Sequence, residues 1–249
     1  MLQETRIIMG MPIAVGIADG SATQPMMDEV FAYFTAVDLR FSTYKANSEI
    51  NALNAGRLTP TDISGEMREV FALAEQTKNE TDGYFEIRKA DGSLDPSGIV
   101  KGWAIRNAAN LIRSRGFENF FVDAGGDIQT GGKNAEGQDW RTGIRNPFKE
   151  DEIIKAVVLK NKGIATSGSY VRGNHIYDPK NPSAKIDSIV SLTVIGPDVL
   201  EADRFATAAF AMGDDGIYFI EDMAGLEGYM VNAKGVATQT SGFGAFVIS

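Results

Sequence analysis

The chain has 249 residues, 43 % apolar and 23 % charged, enough for an apolar core in one large domain or two small ones. It has no cysteine and a single histidine, which excludes disulfides, zinc–thiolate and iron–sulfur sites, thiol nucleophiles and any histidine-rich metal centre. A net charge of -9 without a basic stripe argues against a nucleic-acid surface, and no run approaches the ~20 apolar residues of a membrane-spanning helix.

Thr5 to Ile17 alternates and reads as a first strand. Pro25 opens a helix with Met26, Val30, Phe34 and Val37 at helical spacing. Ser48 to Asn51 looks like the cap and first turn of a short helix that stops at Gly56. Thr61 to Thr81 reads as a helix with Met67, Val70, Phe71 and Ala74 on one face, ending at Asp82-Gly83. Ile99 to Arg115 is the next helix, entered from the turn Asp95-Pro96-Ser97-Gly98 and closed by Gly116. Phe120 to Asp123 is a short buried strand leading into a glycine turn.

Strands are expected at 140–144, 153–159, 163–166 and 188–194. Helices follow at about 199–212 and at 216–223, then a closing strand at 228–231. This irregular order favours α+β over a doubly wound parallel sheet, with residues 1–249 as one domain.

Four stretches could carry chemistry. In DPSGIVKGWA (95–104), helix-start N–H groups stand beside Lys101, a geometry that holds phosphate oxygens; an ordinary capped helix with a solvated lysine has the same pattern. In DAGGDIQTGG (123–132), adjacent glycines permit close approach of a ligand, or form a tight turn. ATSGSYVRGNHIYDP (165–179) offers hydroxyls and His175, whose side-chain type suits proton transfer near neutral pH, although a lone histidine is usually structural or merely exposed. In EADRFATAAFAMG (201–213), Asp203 and Thr207 lie four apart on one helix face, where a carboxylate and a hydroxyl could hold a hard cation or simply pack.

Taken in order, MGMP, FSTYKANSEINALN, TDGYFEI, DPSGIVKGWAI, AGGD, ATSGSY, HIYDP and DRFATA resemble segments of the ApbE family, the FAD:protein FMN transferases. The resemblance implies a compact two-lobed α+β architecture related to the T-fold, with mixed or antiparallel sheets flanked by helices. It implies Mg²⁺-dependent transfer of FMN from FAD to a Thr or Ser of a partner flavoprotein, releasing AMP. Some members hydrolyse FAD to FMN and AMP instead, and a non-catalytic flavin-binding protein is a further alternative.

Position by position, the resemblance implies metal ligands at Asp203, Thr207 and the Gly98 carbonyl, and a base at His175. It implies FAD contacts at Met9, Tyr44, Tyr84, Phe85, Glu86, Asp95, Lys101 and Tyr177. Glu86 stands where the family usually has Asp, Lys180-Asn181-Pro182 departs from its usual loop, and Ala206 stands where some relatives have Asp. The lipobox cysteine of exported members is missing. A cytoplasmic protein is therefore expected, or an exported one whose signal segment has been removed.

Overall fold

The alternation at the start of the chain folds back on itself. In the computed structural model, which describes residues 1–168 and 176–248, the single strand expected over 5–17 is a hairpin. Strand β1 (Leu2–Ile8) pairs antiparallel with β2 (Met11–Ile17). Met9 and Gly10 make the turn with φ of 56° and 73°. Two left-handed central residues give a turn whose twist matches the paired strands. The loop pairs Ile8 with Met11, so the inward face moves from even to odd positions. The apolar Ile7, at an odd position but 74 % exposed, carries the sequence alternation across the break and hides it.

Helices α1 (Gln24–Phe41), α2 (Glu49–Asn54), α3 (Gly65–Glu80) and α4 (Ser97–Ser114) follow. Ser48 Oγ accepts the Asn51 N–H at 3.2 Å, as its position before α2 predicts. Ser64 Oγ accepts the Met67 N–H at 3.1 Å, and this cap starts α3 later than the expected Thr61. Met67, Val70 and Ala74 are buried on α3, with Phe71 half-buried beside them.

Strand β3 (Phe120–Ala124) turns through Gly125-Gly126 into β4 (Asp127–Gly131), a strand the sequence pattern does not mark. Its residues include one large apolar side chain, so its pairing with flanking strands defines it. The remaining strands are β5 (Trp140–Asn146), β6 (Lys149–Leu159), β7 (Gly163–Gly168), β8 (Ile189–Gly196), β9 (Glu227–Asn232) and β10 (Ala237–Gln239). Helices α5 (Val199–Ala211) and α6 (Gly216–Asp222) sit between β8 and β9. The expected closing strand is β9, but β10 then adds to it antiparallel.

Eight strands form one sheet in the order β1-β2-β3-β4-β7-β8-β9-β10, and β5 with β6 forms a separate two-stranded sheet. The recorded strand pairs are antiparallel, which gives an α+β fold on the antiparallel side of the expectation. Alternation along the central strands sends side chains to two different cores. Ala165, Leu192, Val194 and Met230 pack against α5 and α6 residues such as Phe205 and Ile217. Their neighbours Ile164, Ile195, Tyr229 and Val231 pack on the other face with Val157, Leu159 and Phe243. Two covered faces explain the nearly continuous burial of β8. The larger core joins β2 and β3 to α1, α3 and α4 around the buried Trp103.

Candidate active site

The site is built where α4 meets α5. A Cβ added at Gly102 would lie 2.7 Å from Asp203 Cβ and 2.9 Å from the Val199 carbonyl oxygen. Only a residue without a side chain permits that approach. It lets the Gly102 N–H donate to Asp203 Oδ2 at 2.7 Å. Asp203 is only 3 % exposed, so this bond answers a real need of a buried carboxylate.

Lys101 stands beside it. Its Nζ is 2.5 Å from Asp127 Oδ2 and 3.6 Å from Asp203 Oδ1. The Thr166 N–H donates to Asp127 Oδ1 at 3.0 Å, while Asp127 Oδ2 meets the Lys101 ammonium without a well-directed hydrogen bond. Two buried carboxylates thus share one ammonium, which lies nearer Asp127. Burial pushes the Asp203 carboxyl up to about 7, opposed by Lys101 and reinforced by the charge of Asp127. A site with two buried carboxylates to one cation favours a further positive charge.

Thr207 lies one turn after Asp203 on α5. Its Oγ1 donates to the Gly98 carbonyl at 3.4 Å and stands 3.5 Å from Ser167 Oγ. A Cβ at Gly98 would meet the Phe85 ring at 3.3 Å and the Thr207 methyl at 3.4 Å. The Gly98 carbonyl, the Thr207 hydroxyl and the Asp203 carboxylate all belong to residues that line one cavity. No cluster of three or more His, Cys, Asp or Glu able to hold a metal occurs among the described residues. A mixed carbonyl, hydroxyl and carboxylate set nonetheless fits a hard cation such as Mg²⁺, which takes few carboxylates and keeps water and phosphate oxygens.

The cavity holds about 470 Å³, within the range of about 300–1,000 Å³ for small-molecule sites. Its rim carries paired charges. Asp95 accepts the Ser97 N–H at 3.2 Å and pairs with Lys89 at 2.7 Å. Burial raises the Asp95 carboxyl, but Lys89 and Ser97 outweigh it and hold the group below its usual range. Glu86 is held the same way, burial being outweighed by Lys78 at 2.6 Å and the Arg88 N–H at 2.7 Å. Lys180 caps the Tyr84 ring at 4.1 Å from its centroid and pairs with Asp82 at 2.6 Å. The unusual Lys180-Asn181-Pro182 segment is thus tied to the turn after α3, and Tyr177 and Pro179 just before it line the cavity.

Of the residues singled out from sequence, Tyr84, Phe85, Glu86, Asp95, Gly98, Lys101, Tyr177, Asp203 and Thr207 line this one cavity. Met9 sits in the β1–β2 turn beside the lining residue Gly10 and packs on the core. Tyr44 is 98 % exposed and does not line the cavity. His175 lies outside the described residues. Sequence reasoning passed over Asp127 and Arg145, both placed by the fold. The only signal for Asp127 was a carboxylate directly after the paired glycines; nothing in the sequence marked Arg145.

Comparison with known proteins bears on this arrangement. The sequence matches the model of the ApbE family over residues 9–91 and 87–230, which is most of its length. The chain belongs to the ApbE family.

It is 31 % identical to the FAD:protein FMN transferase of Escherichia coli K12 over 166 residues, covering 63 % of this chain and 47 % of that protein. It is 26 % identical to the FAD:protein FMN transferase of Haemophilus influenzae, covering 90 % of this chain and 84 % of that one. The chain thus spans about half the length of the E. coli relative. The ApbE fold is evident in solved structures. The flavin transferase ApbE from Vibrio cholerae superposes with a TM-score of 0.83 at 22 % identity, covering 98 % of both chains. The apbe protein from Thermotoga maritima gives 0.84 at 20 % identity, covering 100 % of this chain and 99 % of that one.

Proposed function

We propose that this chain transfers FMN from FAD to a threonine or serine hydroxyl of a partner flavoprotein, with Mg²⁺, releasing AMP. The observation that carries the reading is the seam of Gly98, Lys101, Asp203 and Thr207 at a cavity of ligand size. The names of the curated relatives support the activity. The reading treats residues 1–249 as one unit, because residues from Gly10 to Thr207 line the same cavity.

In the proposed reaction the acceptor oxygen bonds to the FMN phosphorus, and the bond from that phosphorus to the AMP oxygen breaks. The hydroxyl proton passes to a base, the role the family resemblance implies for His175. Asp203, Thr207 and the Gly98 carbonyl would hold Mg²⁺. Bound there, the metal would neutralise charge on the pyrophosphate. Lys101 pairs with both buried carboxylates and holds them in place. Tyr84 and Tyr177 present aromatic faces at the rim for a flavin or adenine ring.

The test incubates the protein with FAD, Mg²⁺ and an acceptor domain, followed by a denaturing gel. Fluorescent acceptor bands support transfer. AMP release without labelling makes the protein a pyrophosphatase, and FAD binding without either product makes it a binding protein. The cellular location stays a proposal too: no described helix is long and apolar enough to cross a membrane, and fractionation of the native host separates a cytoplasmic from an exported protein.

A further inference from the structure

The cavity has three described cationic side chains, and two of them are neutralised inside the protein: Lys89 by Asp95, and Lys101 by Asp127 and Asp203. The third, Arg145, lines the same cavity, yet no ion pair or hydrogen bond of its guanidinium is formed with the described residues. This is unusual in a chain of net charge -9, where acidic partners are plentiful.

Its backbone setting is also irregular. Ile144 pairs with Lys155, Arg145 with Ile153 and Asn146 with Lys149, so register shifts occur on both sides of Arg145. Bulges of this kind re-aim a side chain and are enriched beside active sites. Before the irregularity β5 lies on the sheet in the ordinary way, with Ile144 buried and Trp140 Nε1 donating to the Gly131 carbonyl at 2.8 Å. Arg145 follows as an exposed residue that still reaches the cavity. Its field is felt by Asp123, whose carboxyl burial pushes up and Arg145 and Lys101 draw down.

We propose that Arg145 is a substrate-recognition residue that takes an oxyanion at the cavity mouth. The fork of a guanidinium suits either a phosphate or a carboxylate. The oxyanion belongs to the dinucleotide's pyrophosphate or to an acidic side chain of the acceptor protein. This assignment rests on the transferase reading for its second source only; the first needs nothing beyond FAD binding.

The experiment compares wild type with R145A, R145E and R145K. It measures affinity for FAD and for riboflavin, which lacks phosphate, and KM for the acceptor domain at several salt concentrations. Arg145 has no hydrogen bond or ion pair with the described residues, so melting temperatures should match the wild type. R145E should weaken FAD binding, or raise the acceptor KM, by about tenfold or more, as loss of a charge-assisted bond implies. R145K should recover part of either effect.

Weakened FAD binding with riboflavin unchanged assigns the pyrophosphate. A raised acceptor KM with FAD affinity unchanged, and a flatter salt dependence in R145A, assigns the acceptor carboxylate. Wild-type values for R145E in both measurements overturn the proposal. If the wild type labels no acceptor at all, the transferase reading fails by itself. Unchanged FAD-to-riboflavin discrimination in R145E would then overturn the Arg145 assignment as well.

Discussion

The floor of the cavity and its rim are built on opposite physical terms. At the floor, Asp127 and Asp203 are 2 % and 3 % exposed, held by backbone N–H groups from Gly102 and Thr166 and by one lysine. At the rim, Lys180–Asp82 and Lys89–Asp95 stand in or near solvent, and one face of Tyr84 is covered by a lysine. Buried charges act through a weakly screened field and are costly to leave unpaired, so the floor admits little variation. Exposed pairs are screened and interchangeable, so the rim can differ between relatives without loss of the fold. Chemistry belongs on the rigid part and recognition on the adjustable one.

The comparison breaks most sharply at Asp203. Asp203→Ala should lower FMN transfer by at least about 100-fold, because several kcal/mol of charge stabilisation are lost. Gel labelling with saturable Mg²⁺ measures this, and full activity with intact Mg²⁺ dependence would remove Asp203 from the metal site. The isosteric Asp203→Asn should fold normally and transfer equally poorly.

Gly102→Ala tests whether the floor depends on backbone contact. Its methyl would meet Asp203 and the Val199 carbonyl, and overpacking of this kind costs about 1–3 kcal/mol. Urea unfolding should show that loss, accompanied by reduced transfer. A variant as stable and active as the wild type would mean that the helices can part without harm.

Asp123, between the two regions, offers a pH test. Burial raises its carboxyl in the folded protein, opposed by the Gly126 N–H at 2.8 Å. The native state therefore holds the proton to higher pH than the unfolded chain, where an aspartate titrates near about 3.9. In the window from there up to the raised folded value, the native state binds more protons, so stability falls as pH rises. Asp123→Asn should flatten that part of the profile and be the more stable protein at neutral pH. Denaturant titrations across the acid range decide, and an unchanged slope would exclude Asp123 as its source.

The smallest effect is expected at the rim. Lys180→Ala should leave the melting temperature within error and raise the KM for FAD about two- to threefold, since an exposed pair contributes little. Loss of folding in this variant would overturn the division between floor and rim.

The legibility of this molecule followed the range of the interactions. Helix α2 could be read because Ser48 and its Asn51 partner are three residues apart. The paired face of Asp203 and Thr207 was legible for the same reason, since helical spacing is local. The β1–β2 hairpin was not, because the exposed apolar Ile7 continues the alternation across the turn, and β4 was not, because neighbouring strands define it. Tyr44, which matches a flavin-contact position, lies exposed away from the cavity, while Arg145, which matches nothing singled out, reaches it.

By itself the sequence determined the chemistry available to the protein. Without cysteine and with one histidine, any metal site must be made mainly of oxygen, and the ordered motifs identify the family. What only the tertiary structure decided is how those oxygens meet. Gly102 and Asp203 are 101 residues apart and 2.7 Å distant. Periodicity tells which face of a helix is buried but not what it is buried against. The close approach of α4 to α5, and with it the shared charge of Lys101, Asp127 and Asp203, arises from packing and has no local signature.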